Sequence, residues 1–80
     1  MSLKPELPSL TALAAGRYRH YKGNEYQVIG VARHSETLEE MVVYRPVYGE
    51  RSLWVRPLAM FVGTVDVGGR AIPRFARIDG

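Results

Sequence analysis

From Gly16 onward the chain is written in short β-prone runs, each closed by a turn signal. That rhythm limits the fold more than any other feature, because several short strands at close spacing form a sandwich, a barrel or a meander. "RYRHY" (17–21) alternates and ends at Lys22-Gly23-Asn24-Glu25. "YQVIGVARH" (26–34) is a long strand whose central Gly30 marks a bend or bulge. "MVVYRPVY" (41–48) leads into the turn Gly49-Glu50-Arg51, and "SLWVRP" (52–57) is a fourth strand. "LAMFV" (58–62) fits a tight helical turn or an extension, Asp66–Gly69 reads as a turn, and "RFARI" (74–78) closes the sheet after Pro73.

The first fifteen residues read differently. Residues 1–8 carry two prolines and no periodicity, which describes a loose arm. Residues 9–15 (SLTALAA) predict a short helical turn, with Ser9 as N-cap and Gly16 as the stop. So short a helix holds only if Leu10 and Leu13 dock. The expected architecture is therefore all-β. It is a small, strongly bent, antiparallel five-stranded barrel of SH3-like type, with an open meander as the alternative. Residues 1–15 form an arm with a short helix, and residues 16–80 form one β-barrel domain.

With 80 residues, the chain has room for one domain and a small core. The absence of cysteine excludes disulfides and thiolate metal sites and suits a reducing cytoplasm. No apolar stretch approaches a membrane span, and no signal peptide opens the sequence. The net charge is +3, and nine of the eleven basic residues are Arg. Arg suits planar recognition of phosphate, carboxylate or aromatic faces, although a charge of +3 only permits nucleic-acid binding.

Turn lengths suggest a register. A two-residue loop at Gly23-Asn24 places Tyr21 opposite Tyr26 and Arg17 opposite Gly30. A loop over 35–40 places Ala32 opposite Val43, and a turn at 49–51 places Tyr44 opposite Arg56. One face then holds Tyr26, Val28, Ala32, Met41, Val43, Val47, Leu53 and Val55, which reads as core. The other holds Tyr18, His20, Gln27, Arg33, Tyr44, Trp54 and Arg56, with Ile29, Val31 and Val42. A turn one residue different would exchange the faces.

The polar cluster His34-Ser35-Glu36-Thr37 invites a catalytic or metal reading. In this register His20 and His34 lie roughly 23 Å apart along the sheet, too far to share a metal. Ser35 and His34 are strand neighbours and point to opposite faces, and no third group orients the histidine. Thr37 and Glu40 match a capping box, and Ser35 and Thr37 can brace the loop through backbone hydrogen bonds. The cluster reads as mainly a turn-forming device, with His34, Glu36 and Arg45 a secondary ligand-site candidate at the barrel mouth. Neither a cofactor nor a metal is expected, and no catalytic residue is assigned.

The strings RHYKG, ARHSET, VVYR, LWVRP and PRF, in that order and spacing, resemble the small bacterial family catalogued as domain of unknown function 1653. The resemblance covers residues 16–76. It implies a compact β-barrel and carries no activity, cofactor or catalytic residue.

The expected role is a non-catalytic binding module. Its ligand surface is Tyr18, His20, Arg33, Tyr44, Trp54 and Arg56, facing nucleic acid, a nucleotide or another anionic ligand. The alternatives are an accessory domain that self-associates, as in a homodimer, or binds a peptide partner, and a small-ligand or enzymatic site at His34 and Glu36. No membrane partner is expected.

Overall fold

The computed structural model describes residues 7–78. The strands are β1 (Gly16–His20), β2 (Glu25–Arg33), β3 (Glu40–Pro46), β4 (Trp54–Pro57), β5 (Thr64–Val67), β6 (Arg70–Pro73) and β7 (Phe75–Arg77). A single helical turn, α1 (Leu58–Phe61), follows β4 directly. Five strands form one antiparallel sheet in the order β4-β3-β2-β1-β7, and β5 and β6 form a separate hairpin.

The expected barrel does not close. In a barrel the outermost strands would pair, but β4 and β7 are the two free edges of an open sheet. The chain between them is spent on α1 and the β5–β6 hairpin instead. That hairpin turns at Gly68-Gly69, both with positive φ (59° and 82°), the geometry a tight two-residue β-turn requires. The Asp66 carboxylate accepts a hydrogen bond from the Gly69 N–H at 3.0 Å.

The short helix lies at residues 58–61, and the segment 9–15 has no helical structure. Of its two leucines only Leu13 packs against the core, while Leu10 stays exposed. Without both contacts so short a segment cannot hold a helix. Parts of its backbone bond to the sheet instead. Glu40 accepts hydrogen bonds from the Thr11 backbone N–H and, at 2.9 Å, from the Thr11 hydroxyl. Arg33, opposite Glu40 in the β2–β3 ladder, donates to the Pro8 carbonyl at 2.6 Å. The Tyr18 hydroxyl donates to the Ala14 carbonyl at 2.7 Å.

The register decides the core. Tyr18, not Tyr21, stands opposite Tyr26, and Arg17 faces Gln27. The β1–β2 turn is thus longer than Gly23-Asn24, and Tyr26's partner moves by three residues, an odd number that exchanges faces. In β2 the ladder slips between Val28 and Gly30, leaving Ile29 unpaired and exposed in a bulge. Ala32 pairs with Met41, and Tyr44 pairs with Trp54.

The inner face consequently carries Tyr18, Val28, Val42, Tyr44 and Phe75, sealed by Leu58 and Phe61 from α1. Phe61 is the keystone: it stacks flat on Phe75 at 4.1 Å and meets Tyr18 and Tyr44 edge-on at 5.5 and 5.6 Å. The face expected to be core is mostly the outer one. Val55 is 59% exposed and Leu53 57%.

Candidate ligand surface

Helix α1 covers part of the inner face. Beyond it, Tyr26, Trp54 and Tyr48 continue the aromatic series toward the opposite end of the sheet from the 34–39 loop. Tyr26 is the link. Its ring lies 5.8 Å from Phe75, 5.4 Å from Tyr44 and 6.3 Å from Trp54. The rings thus run continuously from the sealed core to a half-exposed tryptophan.

Cations collect around His20 and the Phe75 ring. His20 stands opposite Phe75 in the β1–β7 ladder and meets its ring edge-on at 4.9 Å. The Arg56 guanidinium lies 5.3 Å from the same ring, and its Nε donates to the Tyr44 hydroxyl at 3.2 Å. Lys22 lies 5.8 Å from the Tyr21 ring, which in turn is 4.6 Å from His20. Burial holds the His20 pKa below its usual 6.5, and the positive charges of Arg56, Arg74 and Lys22 lower it further. His20 Nδ1 accepts the Lys22 backbone N–H at 3.2 Å, so the neutral ring carries its proton on Nε2. Among the described residues, Lys22, Arg56 and Arg74 form no ion pair; those present join Arg17 and Arg19 to Glu25. The buried Arg74 Nε has no hydrogen-bond partner.

The far side of Tyr26 has the opposite sign. A groove of about 310 Å³ is lined by Asn24, Glu25, Tyr26, Pro46, Tyr48, Glu50 and Trp54. Trp54 is fixed there by a short relay. Its indole N–H donates to Ser52 Oγ at 3.2 Å, and both the Ser52 hydroxyl and its backbone N–H donate to Glu50. Those Ser52 bonds hold the Glu50 carboxyl below its usual range.

Of the residues expected to form the surface, His20, Trp54 and Arg56 come together on the open half of the inner face. Tyr44 lies beneath them, 2% exposed. Tyr18 is buried at the arm side, and Arg33 holds the arm. Tyr26, Lys22 and Arg74 lie beside them. Tyr26 escaped the sequence reading because the assumed turn put it on the opposite face.

The secondary candidates do not converge. His34 Nδ1 accepts the backbone N–H groups of Glu36 and Thr37 at 3.1 and 3.2 Å, and Thr37 Oγ1 accepts that of Glu39 at 3.2 Å. The cluster therefore braces a turn closed by His34 N–H donating to the Glu39 carbonyl at 2.7 Å. Leu38 takes positive φ (65°) within it. The capping box does not form, since Glu40 is committed to Thr11. Arg45 is five residues along β3 from Glu40, roughly 16 Å from that loop. No three metal-ligating side chains cluster among the described residues.

Residues 16–77 match the model of the protein family of unknown function DUF1653. The chain belongs to the DUF1653 family. A crystal structure of a DUF1653 protein from Bordetella bronchiseptica is similar to it. The identity is 39%, the TM-score is 0.77, and the match covers 88% of this chain and 92% of that one. No curated protein matches the chain. Among the described residues, no helix is long and apolar enough to cross a membrane.

Proposed function

We propose that this DUF1653 chain is a non-catalytic binding module, and that the open inner face takes an anionic, ring-bearing ligand, single-stranded nucleic acid or a nucleotide. The observation carrying this reading is the group of cations around His20, with Arg56 over the Phe75 ring. Arg56, Arg74 and Lys22 lie near His20, whose pKa burial and then these charges lower, and no described carboxylate pairs with them. Like charges held together without counter-ions repel one another, and an anion relieves that repulsion. Arg56 has its two terminal nitrogens free of the Tyr44 bond, and His20 Nε2–H is a further donor. The adjacent Tyr26 and Trp54 rings supply faces on which a base stacks.

The test is binding of a short mixed-sequence single-stranded RNA at low salt, repeated at rising salt and with Arg56→Gln and Arg74→Gln. Affinity is expected to fall with salt, with a logarithmic slope of about −0.7 for each phosphate contact. Each substitution should weaken binding and flatten that slope. No binding at low salt, or binding indifferent to both substitutions, contradicts the proposal.

A second reading is favoured by exposed apolar side chains: Val55 in the free-edge strand β4, Leu53 just before it, and Ile29 in the β2 bulge. An accessory domain that self-associates or meets a protein partner would cover them. Sedimentation across a concentration series tests it: a rising mass supports self-association, and a constant monomer mass removes it.

A further inference from the structure

We propose that the groove on the far side of Tyr26 is a receptor for a cationic side chain, an arginine or lysine presented by an extended segment of a partner protein. The groove shares the Tyr26 and Trp54 rings with the anion surface but has its own charged groups, Glu25 and Glu50, and the inference does not rest on anion binding.

The lining decides the chemistry. The groove is bounded by three aromatic side chains, Tyr26, Tyr48 and Trp54, by the Pro46 ring, by Asn24 and by the carboxylates Glu25 and Glu50. No Lys, Arg or His lines it. Tyr26 and Trp54 stand 6.3 Å apart with their planes at 44°, so they form two walls of a corner, and Tyr48, 69% exposed, stands at its rim. The indole N–H of Trp54, the donor most able to recruit an anion, is already given to Ser52. What remains is ring faces and carboxylate oxygens, and that combination attracts a cation twice, through the ring quadrupoles and through the full negative charges.

The two carboxylates are unequal. Glu25 is shared with Arg19 at 3.3 Å and Arg17 at 3.9 Å. Glu50 makes no ion pair among the described residues, and it is held in one orientation by Ser52. Glu50 is therefore the group left to meet an incoming charge. The cavity, about 310 Å³, suits one long side chain rather than a whole folded surface. The same carboxylates repel phosphate, which separates this groove from the cationic half. Tyr26 is the shared wall, its ring in contact with Trp54 on one side and Phe75 on the other.

The experiment follows the Trp54 indole N–H by NMR in the intact protein. The probe is a capped peptide, Ala-Pro-Arg-Pro-Ala, and its neutral twin carries citrulline in place of arginine. The arginine peptide should shift the indole signal saturably, and citrulline should weaken binding by about tenfold or more. Glu50→Gln, which keeps an acceptor for Ser52, should remove most of that difference. RNA affinity should not fall in Glu50→Gln, so this site and the anion surface fail independently. Equal binding of the two peptides overturns the proposal, because the groove would then be only apolar. An indole unmoved by either peptide also overturns it.

Discussion

Tyr18 stands directly opposite Tyr26 across the β1–β2 ladder, and the two therefore share a face. This pairing makes the Tyr18 side the inside of the sheet. It buries Tyr18 beneath Phe61 while leaving Tyr26 at the boundary between core and ligand surface. The assignment of faces is directly testable. Val42→Asp places an unpaired charge at a fully buried site and should unfold the domain, at a cost above about 4 kcal/mol. Val55→Asp lies on the exposed outer face and should change stability by less than about 0.5 kcal/mol. Urea midpoints of the two variants check both statements.

Phe61 joins α1 to three strands through Tyr18, Tyr44 and Phe75. Phe61→Ala should cost about 3–5 kcal/mol, since it removes a buried ring and leaves a cavity beneath a one-turn helix. Trp54→Ala should cost much less, because Trp54 is 44% exposed, yet it should abolish ligand effects at the groove. A stability loss at Trp54 as large as that at Phe61 would move Trp54 into the core and contradict the division of the inner face.

The sequence carried the strands well. The runs at 17–21, 26–34, 41–48, 52–57 and 74–78 each overlap an observed strand of the five-stranded sheet, and the break near Gly30 is a bulge. It did not carry the faces. The loop after β1 offers Gly23-Asn24 as a plausible two-residue turn, but His20 N–H bonds to the Asn24 carbonyl and the turn spans more residues. One odd shift then inverted β1 against β2. Closure was also illegible, because whether β4 meets β7 depends on how α1 and the β5–β6 hairpin fill the space between them. His20, Trp54 and Arg56 lie on one face as expected from their positions, because the β3–β4 ladder keeps Trp54 and Arg56 on the Tyr44 face and His20 shares the Tyr18 face.

Acidification should destabilise the protein in two steps. Burial, followed by Arg56, Arg74 and Lys22, lowers the folded pKa of His20 below 6.5. Between that folded value and 6.5 the unfolded chain binds more protons, so stability is full above 6.5 and declines as pH falls below it. His20→Gln should remove this first decline, as read from urea midpoints at about pH 7.5 and about pH 5.5.

The second step concerns the arm. Hydrogen bonds from the Thr11 backbone and then its hydroxyl lower the Glu40 pKa below 4.5. This contribution is present above the unfolded value and is lost as pH falls through the folded one. The Thr11 amide should therefore lose protection from hydrogen exchange below about pH 4.5, and Glu40→Gln should weaken that protection at neutral pH. A Thr11 amide equally protected in both proteins would dissociate the arm from Glu40.

The most direct test of the anion surface is the pKa of His20, followed through its imidazole NMR signals in the free protein and with a saturating single-stranded oligonucleotide at low salt. The free value should lie below 6.5, and bound phosphate near Arg56 and Arg74 should raise it. A His20 pKa that does not move, with the imidazole signals unchanged on addition of the oligonucleotide, would contradict the proposal that this face receives an anion.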